Sequence, residues 1–306
     1  MAALLIDGNA AEAFDKRALL IINPVSGRRF IIRFVTKIVR RLMDAGYLVT
    51  AVTTGAKGDA TAFARDLGPF DLVVCAGGDG TLHETVGGLL LAGNSVPVGY
   101  IPCGSTNDFA VTHGIPILIP EAIERVAMGS VRRFDVGRFG QTHFLNTAAF
   151  GAFSWMAYTT DQTRKNVLGL TAYALDAAKE LPRLKPRRMR IDVDGTTYEG
   201  DYLVGAICNC TSVLGIVELP EGYVDTCDGM LEVFLIHFPR TLPELESIVR
   251  SMVLGTFSSP MLTLTQGREI TVSSDEPCIW SLDGESSGEI MCASVSAIPG
   301  FLQMML

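Results

Sequence analysis

From Ala18 onward the chain alternates short apolar runs with longer amphipathic ones. ALLIIN (18–23) is uninterrupted until the turn residues PVSG. RRFIIRFVTKIVRRLMDAG then has helical periodicity and closes at Gly46: Arg29, Arg33, Lys37 and Arg40 share one face, and Ile31, Val35, Ile38 and Leu42 the other. YLVTAVTT (47–54) is a β-branched strand, and GDATAFARDLG a helix with Asp59 near its start. DLVVCA (71–76) predicts a buried strand, GGDG a turn, TLHETVGGLLLAG a helix and VPVGYIP (96–102) a fourth strand. Strands spaced by helices imply βαβ units and a parallel sheet covered on both faces. Such sheets bind ligands at the carboxyl ends of their strands. The turns at 23–27, 77–80 and 102–107 all fall at that edge.

After IPEAIERVAMGS (119–130) the pattern changes. RRFDVGRF and QTHFLNTAAFG (132–151) read as strands around Gly140, followed by a long helical stretch at about 152–181. RMRIDVDGTTYEGDYLVGAICNC (188–210) is a hairpin with Asp194-Gly195 at its turn. Further short strands follow, interrupted by one helix near 242–254. The expected architecture is an α/β N-terminal domain, residues 17–130, with a parallel, Rossmann-like sheet. An all-β antiparallel, sandwich-like C-terminal domain, residues 131–296, follows it, leaving the tail at about 297–306 able to pack back on the first.

Composition narrows the function. Of 306 residues, 48% are hydrophobic and 19% charged, which excludes a disordered chain. Mean hydropathy is +0.31, yet the longest uncharged stretch, Thr85–Asn107, is broken by Gly and Pro, so no transmembrane helix is expected. The first residues lack a basic segment, which argues against a secretory signal. Seven cysteines without a CxxC pair suit reduced thiols in a cytoplasmic protein, Cys208 and Cys210 sharing a strand face. A net charge of −8 argues against nucleic acid as a partner.

The sharpest local signal is LVVCAGGDGTLHETVGGLL: strand, glycine-rich turn, helix. Gly77, Gly78 and Gly80 permit close approach of backbone to a ligand and positive φ, and Thr81 is placed to cap the helix. The first amides of that helix form an anion site, and phosphate is the obvious anion. Asp79 inside such a loop needs a cation, either phosphate-bound Mg²⁺ or a basic side chain. The plain alternative is a tight βα turn. There is no GxxxxGK[ST], and no GxGxxG follows the first strand.

GGDGT (77–81) resembles the loop shared by diacylglycerol, sphingosine, ceramide and NAD kinases and phosphofructokinases. NPVSG (23–27), PCGSTNDFA (102–110), FLNTAAFG (144–151) and LDGE (282–285) extend the resemblance to the bacterial diacylglycerol kinase-like lipid kinases, over about Leu19 to Glu285. The resemblance implies an ATP site made of Asn23, Ser26, Gly27, Thr54, Gly77, Gly78, Asp79, Gly80, Thr81, Leu82, His83 and Ser105, with Asp79 near the metal. It implies a general base at Asp283 or Glu285. It also implies a structural Mg²⁺ held by Asp225, Asp228 and the Met230 carbonyl, a donor set suited to a hard cation; the alternative there is an Asp-Gly turn before a strand. His83 replaces the family's usual Asn, and Ser105 its Thr while keeping the hydroxyl.

The implied activity is transfer of the ATP γ-phosphoryl group to a lipid hydroxyl, with diacylglycerol, giving phosphatidic acid, as first candidate. The alternatives are an NAD kinase-like enzyme or a silent nucleotide or lipid sensor. A second basic group, Arg183, Lys185, Arg187, Arg188 and Arg190, reads as a Pro-punctuated link. It is either solvated or docked on anionic lipid at the membrane surface, which would make the enzyme cytoplasmic and peripherally membrane-associated. The apolar girdle of 167–181 is expected to be buried, and a homodimer is compatible with the sequence.

Overall fold

The computed structural model describes residues 14–66, 68–152, 184–213 and 217–306. The expected helix at about 152–181 and Arg183 lie outside the described residues. The chain divides into two compact units. The first is Met1–Phe134 with Gly300–Leu306, and the second is Asp135–Pro299.

In the first unit, strands β1 (Lys16–Ile22), β2 (Tyr47–Thr53), β3 (Leu72–Gly77) and β4 (Val98–Pro102) pair in parallel in the order β2-β1-β3-β4. The end of the last strand, β15 (Glu285–Met305), adds a parallel pairing, Met304 with Val98. The parallel expectation holds, but the order is not the 3-2-1-4 of the Rossmann fold. Here β2 lies to one side of β1 and β3 to the other. The order therefore reverses between β1 and β3, and it is at the carboxyl ends beside such a switch point that sheets of this kind bind ligands.

The long helix expected after β1 is two segments: a 3-10 turn, Ser26–Phe34, running into α1 (Val35–Asp44). Its apolar face matches the periodicity: Ile31, Ile38 and Leu42 are buried on the sheet, while Arg33, Lys37 and Arg40 point away from it. Arg41 pairs with Glu124 of α5 (Ile119–Met128) at 2.6 Å, pinning the two helices on that side. α2 (Asp59–Asp66) and α3 (Asp79–Ala92) follow β2 and β3, and the short α4 (Asp108–Thr112) follows β4.

His113, just after α4, lies between the rings of Phe109 (4.2 Å) and Phe134 (4.4 Å), and its Nε2 is buried without a partner. Burial, aided by Arg132, pushes the imidazole down to about 3. A base held below its unfolded value contributes stability that is present above about pH 6.5 and lost as pH falls toward 3. By pH 5 the loss is about 2 kcal/mol. His113→Phe keeps the ring stack and is expected to flatten this slope. Urea melts of both proteins between pH 7.5 and 5 check it; parallel slopes would contradict it.

The second unit is built almost wholly of antiparallel strands. Its order is β13 (Leu262–Gly267), β12 (Leu231–His237), β9 (Thr196–Cys208), β7 (Thr147–Gly151), β14 (Glu269–Leu282), β15. β8 (Arg187–Val193) pairs with both β9 and β14. The two long strands thus use one half on β8 and the other on β7, and the sheet folds over a core of Phe139, Phe144, Phe150, Met189, Ile191 and Trp280. Its other face packs on α6 (Leu242–Leu254), which opens with a Thr241/Glu244 capping box. The remaining short strands are β5 (Val131–Phe139), β6 (Thr142–Phe144), β10 (Ser212–Val213) and β11 (Val217–Glu218). Asp194 and Gly195, at φ 46° and 86°, form the expected turn between β8 and β9. Arg188 and Arg190 lie on β8, as the hairpin over 188–210 predicts, and Arg187, expected in the link before it, joins them there because ladder pairing with β9 and β14 extends the chain. Among the described residues no helix is long and apolar enough to cross a membrane.

Candidate active site

Three turns meet at the carboxyl edge of the parallel sheet. The first leaves β1. The Asn23 amide donates to Ala76 O at 2.9 Å, its Oδ1 accepts from Val25 N, and its Nδ2 donates to Thr81 Oγ1 at 3.0 Å. Ser26 N donates to Asn23 O at 3.3 Å. Gly27 has φ +55°, and a Cβ there would sit 2.5 Å from Cys103 O, so only glycine lets this turn lie against the third one. Thr54, at the end of β2, donates its amide to Ile22 O at 2.9 Å.

The second turn is Gly77–Thr81. Gly78 is the N-cap of α3 at φ −91°, ψ −176°, and neither Gly77, Gly78 nor Gly80 has positive φ. The expectation of left-handed backbone is therefore corrected: these glycines serve close approach. A Cβ on Gly77 would lie 2.6 Å from the Thr81 side chain, and one on Gly78 would lie 3.1 Å from Gly104 Cα. Thr81 does not cap the helix, because the helix has already begun at Asp79. It is buried, and its hydroxyl accepts from Asn23 and so ties the first turn to the second. The amides of Thr81 and Leu82 fold back on Gly78 O, leaving those of Asp79 and Gly80 as the helix's leading donors. Leu82 is buried in the core, and His83 is half-buried.

The third turn follows β4. Gly104 N donates to Asn107 Oδ1 at 2.8 Å, with Asn107 itself at φ 52°. Ser105 is exposed. Asp79 reaches across to this turn. Its Oδ2 accepts from Thr106 Oγ1 (3.2 Å) and Asp108 N (3.1 Å), and its Oδ1 from Phe109 N (3.3 Å) and Tyr100 Oη (3.4 Å). Burial and the Asp79 charge hold the Tyr100 phenol far above its ordinary value, so it stays a donor. The carboxylate thus clamps the third turn to the head of α3. Sequence reading missed Tyr100, Thr106 and Asn107 in this role, although the run PCGSTND contains the hydroxyls and the turn-forming Asn. Glu84 likewise reaches out of α3 to accept from Gly58 N at 2.9 Å.

The second unit holds the remaining candidates. Asp283 and Gly284, at φ 50° and 89°, make the two-residue turn joining β14 to β15. Asp283 Oδ2 accepts from Leu145 N (2.7 Å), and Oδ1 from Asn146 N (2.8 Å) and Thr147 N (3.0 Å). Its own amide donates to Thr147 O at 2.9 Å. These contacts hold the carboxylate in one orientation. Glu285 is exposed at the start of β15.

Asp225 and Asp228 each close a local turn, Oδ1 accepting from Cys227 N (3.0 Å) and Met230 N (2.8 Å). Near them Glu232 is 1% exposed, and its Oε2 has no partner. Burial, with Cys210, Asp228 and Asp225 nearby, pushes its carboxyl up to about 8. Among the described residues no three carboxylate, thiol or imidazole groups converge to hold a metal. The second oxygen of each Asp takes no part in these two turn contacts, and carboxylate oxygen is the donor type that a hard cation takes. The lone carboxylate in the apolar run MLEVFLIHF was the signal that could have singled out Glu232.

A family model for the diacylglycerol kinase catalytic domain matches residues 17–139, and one for the YegS C-terminal NAD kinase beta sandwich-like domain matches 147–306. The diacylglycerol kinase of Bacillus subtilis (strain 168) is 32% identical over 278 residues, covering 89% of this chain and 91% of that protein. That of Staphylococcus saprophyticus is 31% identical over 279 residues, covering 90% of each. The chain belongs to the diacylglycerol kinase family. It is a lipid kinase, a phosphotransferase with an alcohol acceptor, and ATP is the donor substrate of such an enzyme. A crystal structure of a diacylglycerol kinase from Bacillus anthracis str. Sterne shares the fold at a TM-score of 0.73 and 23% identity, covering 95% of this chain and 96% of that one.

Proposed function

We propose that this kinase phosphorylates diacylglycerol to phosphatidic acid, with ATP bound at the three clamped turns of the first unit and Mg²⁺ as its metal. One observation carries the nucleotide assignment. The side chains of Asn23, Thr81 and Asp79 are spent on fastening the turns together, which leaves the leading backbone amides of α3 as the groups to meet a ligand. Helix-terminal amides without partners suit phosphate. The contacts assigned are those of Asn23, Ser26, Gly27, Thr54, Gly77 to His83, and Ser105. In phosphoryl transfer the transition state is loose, so the acceptor hydroxyl needs orientation more than early deprotonation. Asp283 can supply that orientation, because three amides fix its carboxylate in place. Incubating the protein with [γ-³²P]ATP and mixed micelles of diacylglycerol, phosphatidylglycerol, a sphingoid base or an isoprenoid alcohol tests the acceptor. Label is expected in phosphatidic acid; transfer only to another lipid would replace diacylglycerol.

The same reading places the enzyme on the cytoplasmic side, peripherally held at an anionic membrane surface. It also assigns Asp225, Asp228 and the Met230 carbonyl to Mg²⁺, which would neutralise the acidic ground around Glu232. Mg²⁺ should then raise the melting temperature of the wild type and not of Asp228→Ala, and EDTA should lower only the former. A wild-type melting temperature indifferent to both would return 225–230 to a plain pair of turns.

A further inference from the structure

Beside the turn that joins β14 to β15, the second unit has a groove of about 550 Å³. Lys185 and Arg187 line it together with Leu184, Ile279, Ser281 and Ser286, and no Asp or Glu is among its lining residues. The basic run that contains those two cations divides by partnership. Arg188 pairs with Glu199 (2.7 Å) and Asp201 (3.8 Å), and Arg190 with Asp192 (3.1 Å). Among the described residues Lys185 and Arg187 have no such acidic partner, and both face the groove.

Two neighbouring cations in a concave site repel each other unless an anion joins them. Paired cations with two serine hydroxyls suit a phosphate group. The apolar walls add a second requirement. Ile279 is 55% exposed, and Leu184 stands near it. A free phosphate leaves that surface wet, whereas the acyl chains attached to a lipid's phosphate headgroup cover it. On the other side of Arg187 a smaller groove is lined by Asp201, Asp275 and Glu276, which would repel the same anion.

We propose that this groove binds the phosphate headgroup of an anionic phospholipid through Lys185 and Arg187, and so holds the Asp283–Gly284 turn at the bilayer surface. The proposal rests on the reading of the chain as a lipid kinase. Its test is binding without nucleotide, so the two can fail separately. Full-length protein is sedimented with vesicles of phosphatidylcholine, with and without phosphatidylglycerol. The wild type should bind the anionic vesicles, and Lys185→Gln with Arg187→Gln should weaken binding at least about tenfold, two basic contacts being removed. Arg188→Gln and Arg190→Gln, whose charges are already paired, should bind as the wild type does. Because Arg187 lies beside Cys278, the single variant Lys185→Glu, at an exposed position, repeats the test without touching it. Unchanged binding by both the double variant and Lys185→Glu overturns the proposal, even if lipid is phosphorylated normally. Displacement of the vesicles by inorganic phosphate as readily as by soluble phosphatidylglycerol would make this a free-anion site and overturn the lipid assignment.

Discussion

Asp283→Asn is expected to lower kcat at least a hundredfold, within the roughly 10²–10⁴ range of general-base contributions. The substitution keeps the backbone, since Asn tolerates a φ of 50° as Asp does. If the remaining oxygen stays on the amides of Asn146 and Thr147, the new NH₂ faces Leu145 N, donor against donor. The carboxylate charge that would accept the substrate's hydroxyl hydrogen is lost in the same change. A lower melting temperature should therefore accompany the loss, and rates must be read well below it. Glu285→Gln separates the roles. It makes none of these amide contacts, and with Asp283 as the orienting base it should fall by much less than Asp283→Asn. ATP affinity in calorimetry should stay near the wild-type value for both. Wild-type kcat in Asp283→Asn would remove the residue from the chemistry, and a larger loss in Glu285→Gln would exchange the two assignments.

The second large effect is expected at the phosphate turn. Gly78 is extended, so valine fits its backbone, but a Cβ there meets Gly104 Cα at 3.1 Å. Gly78→Val should push the 104–107 turn off the head of α3 and stretch the Asp79 contacts to Thr106, Asp108 and Phe109. Tenfold or greater weakening of ATP binding, about 1.4 kcal/mol, is expected, with the fold retained. Calorimetric ATP affinity equal to the wild type would sink this placement of the nucleotide.

Much of this was legible in the chain because periodicity reports burial. The parallel strands are continuous apolar runs, and they appear within one or two residues of where the pattern places them. The Asp194-Gly195 hairpin and the helix at 242–254 were equally plain, one from its turn dipeptide and the other from its period. Strand order was not legible, since βαβ grammar does not say on which side of β1 the next strand lies. Nor was the role of the glycines: GGDG reads as conformational freedom, whereas Gly77 and Gly78 are set by Thr81 and Gly104, which come close only once the turns are packed. Thr81 misled for a related reason. A hydroxyl near a helix start suggests a cap, but the helix begins two residues earlier and the hydroxyl meets Asn23, distant in sequence. At 282–285 the motif singled out a tight turn whose surroundings the sequence does not show. Only the structure brings Leu145 to Thr147 onto Asp283, because that contact spans more than a hundred residues.

The central claim, phosphoryl transfer to a lipid alcohol, is tested most directly in one competition. Wild-type protein is given [γ-³²P]ATP with diacylglycerol in mixed micelles and NAD in the same tube, and the products are separated by thin-layer chromatography. Label in the phosphatidic acid fraction, absent from the Asp283→Asn reaction, is the predicted result. Label in NADP, or in inorganic phosphate alone, would contradict it.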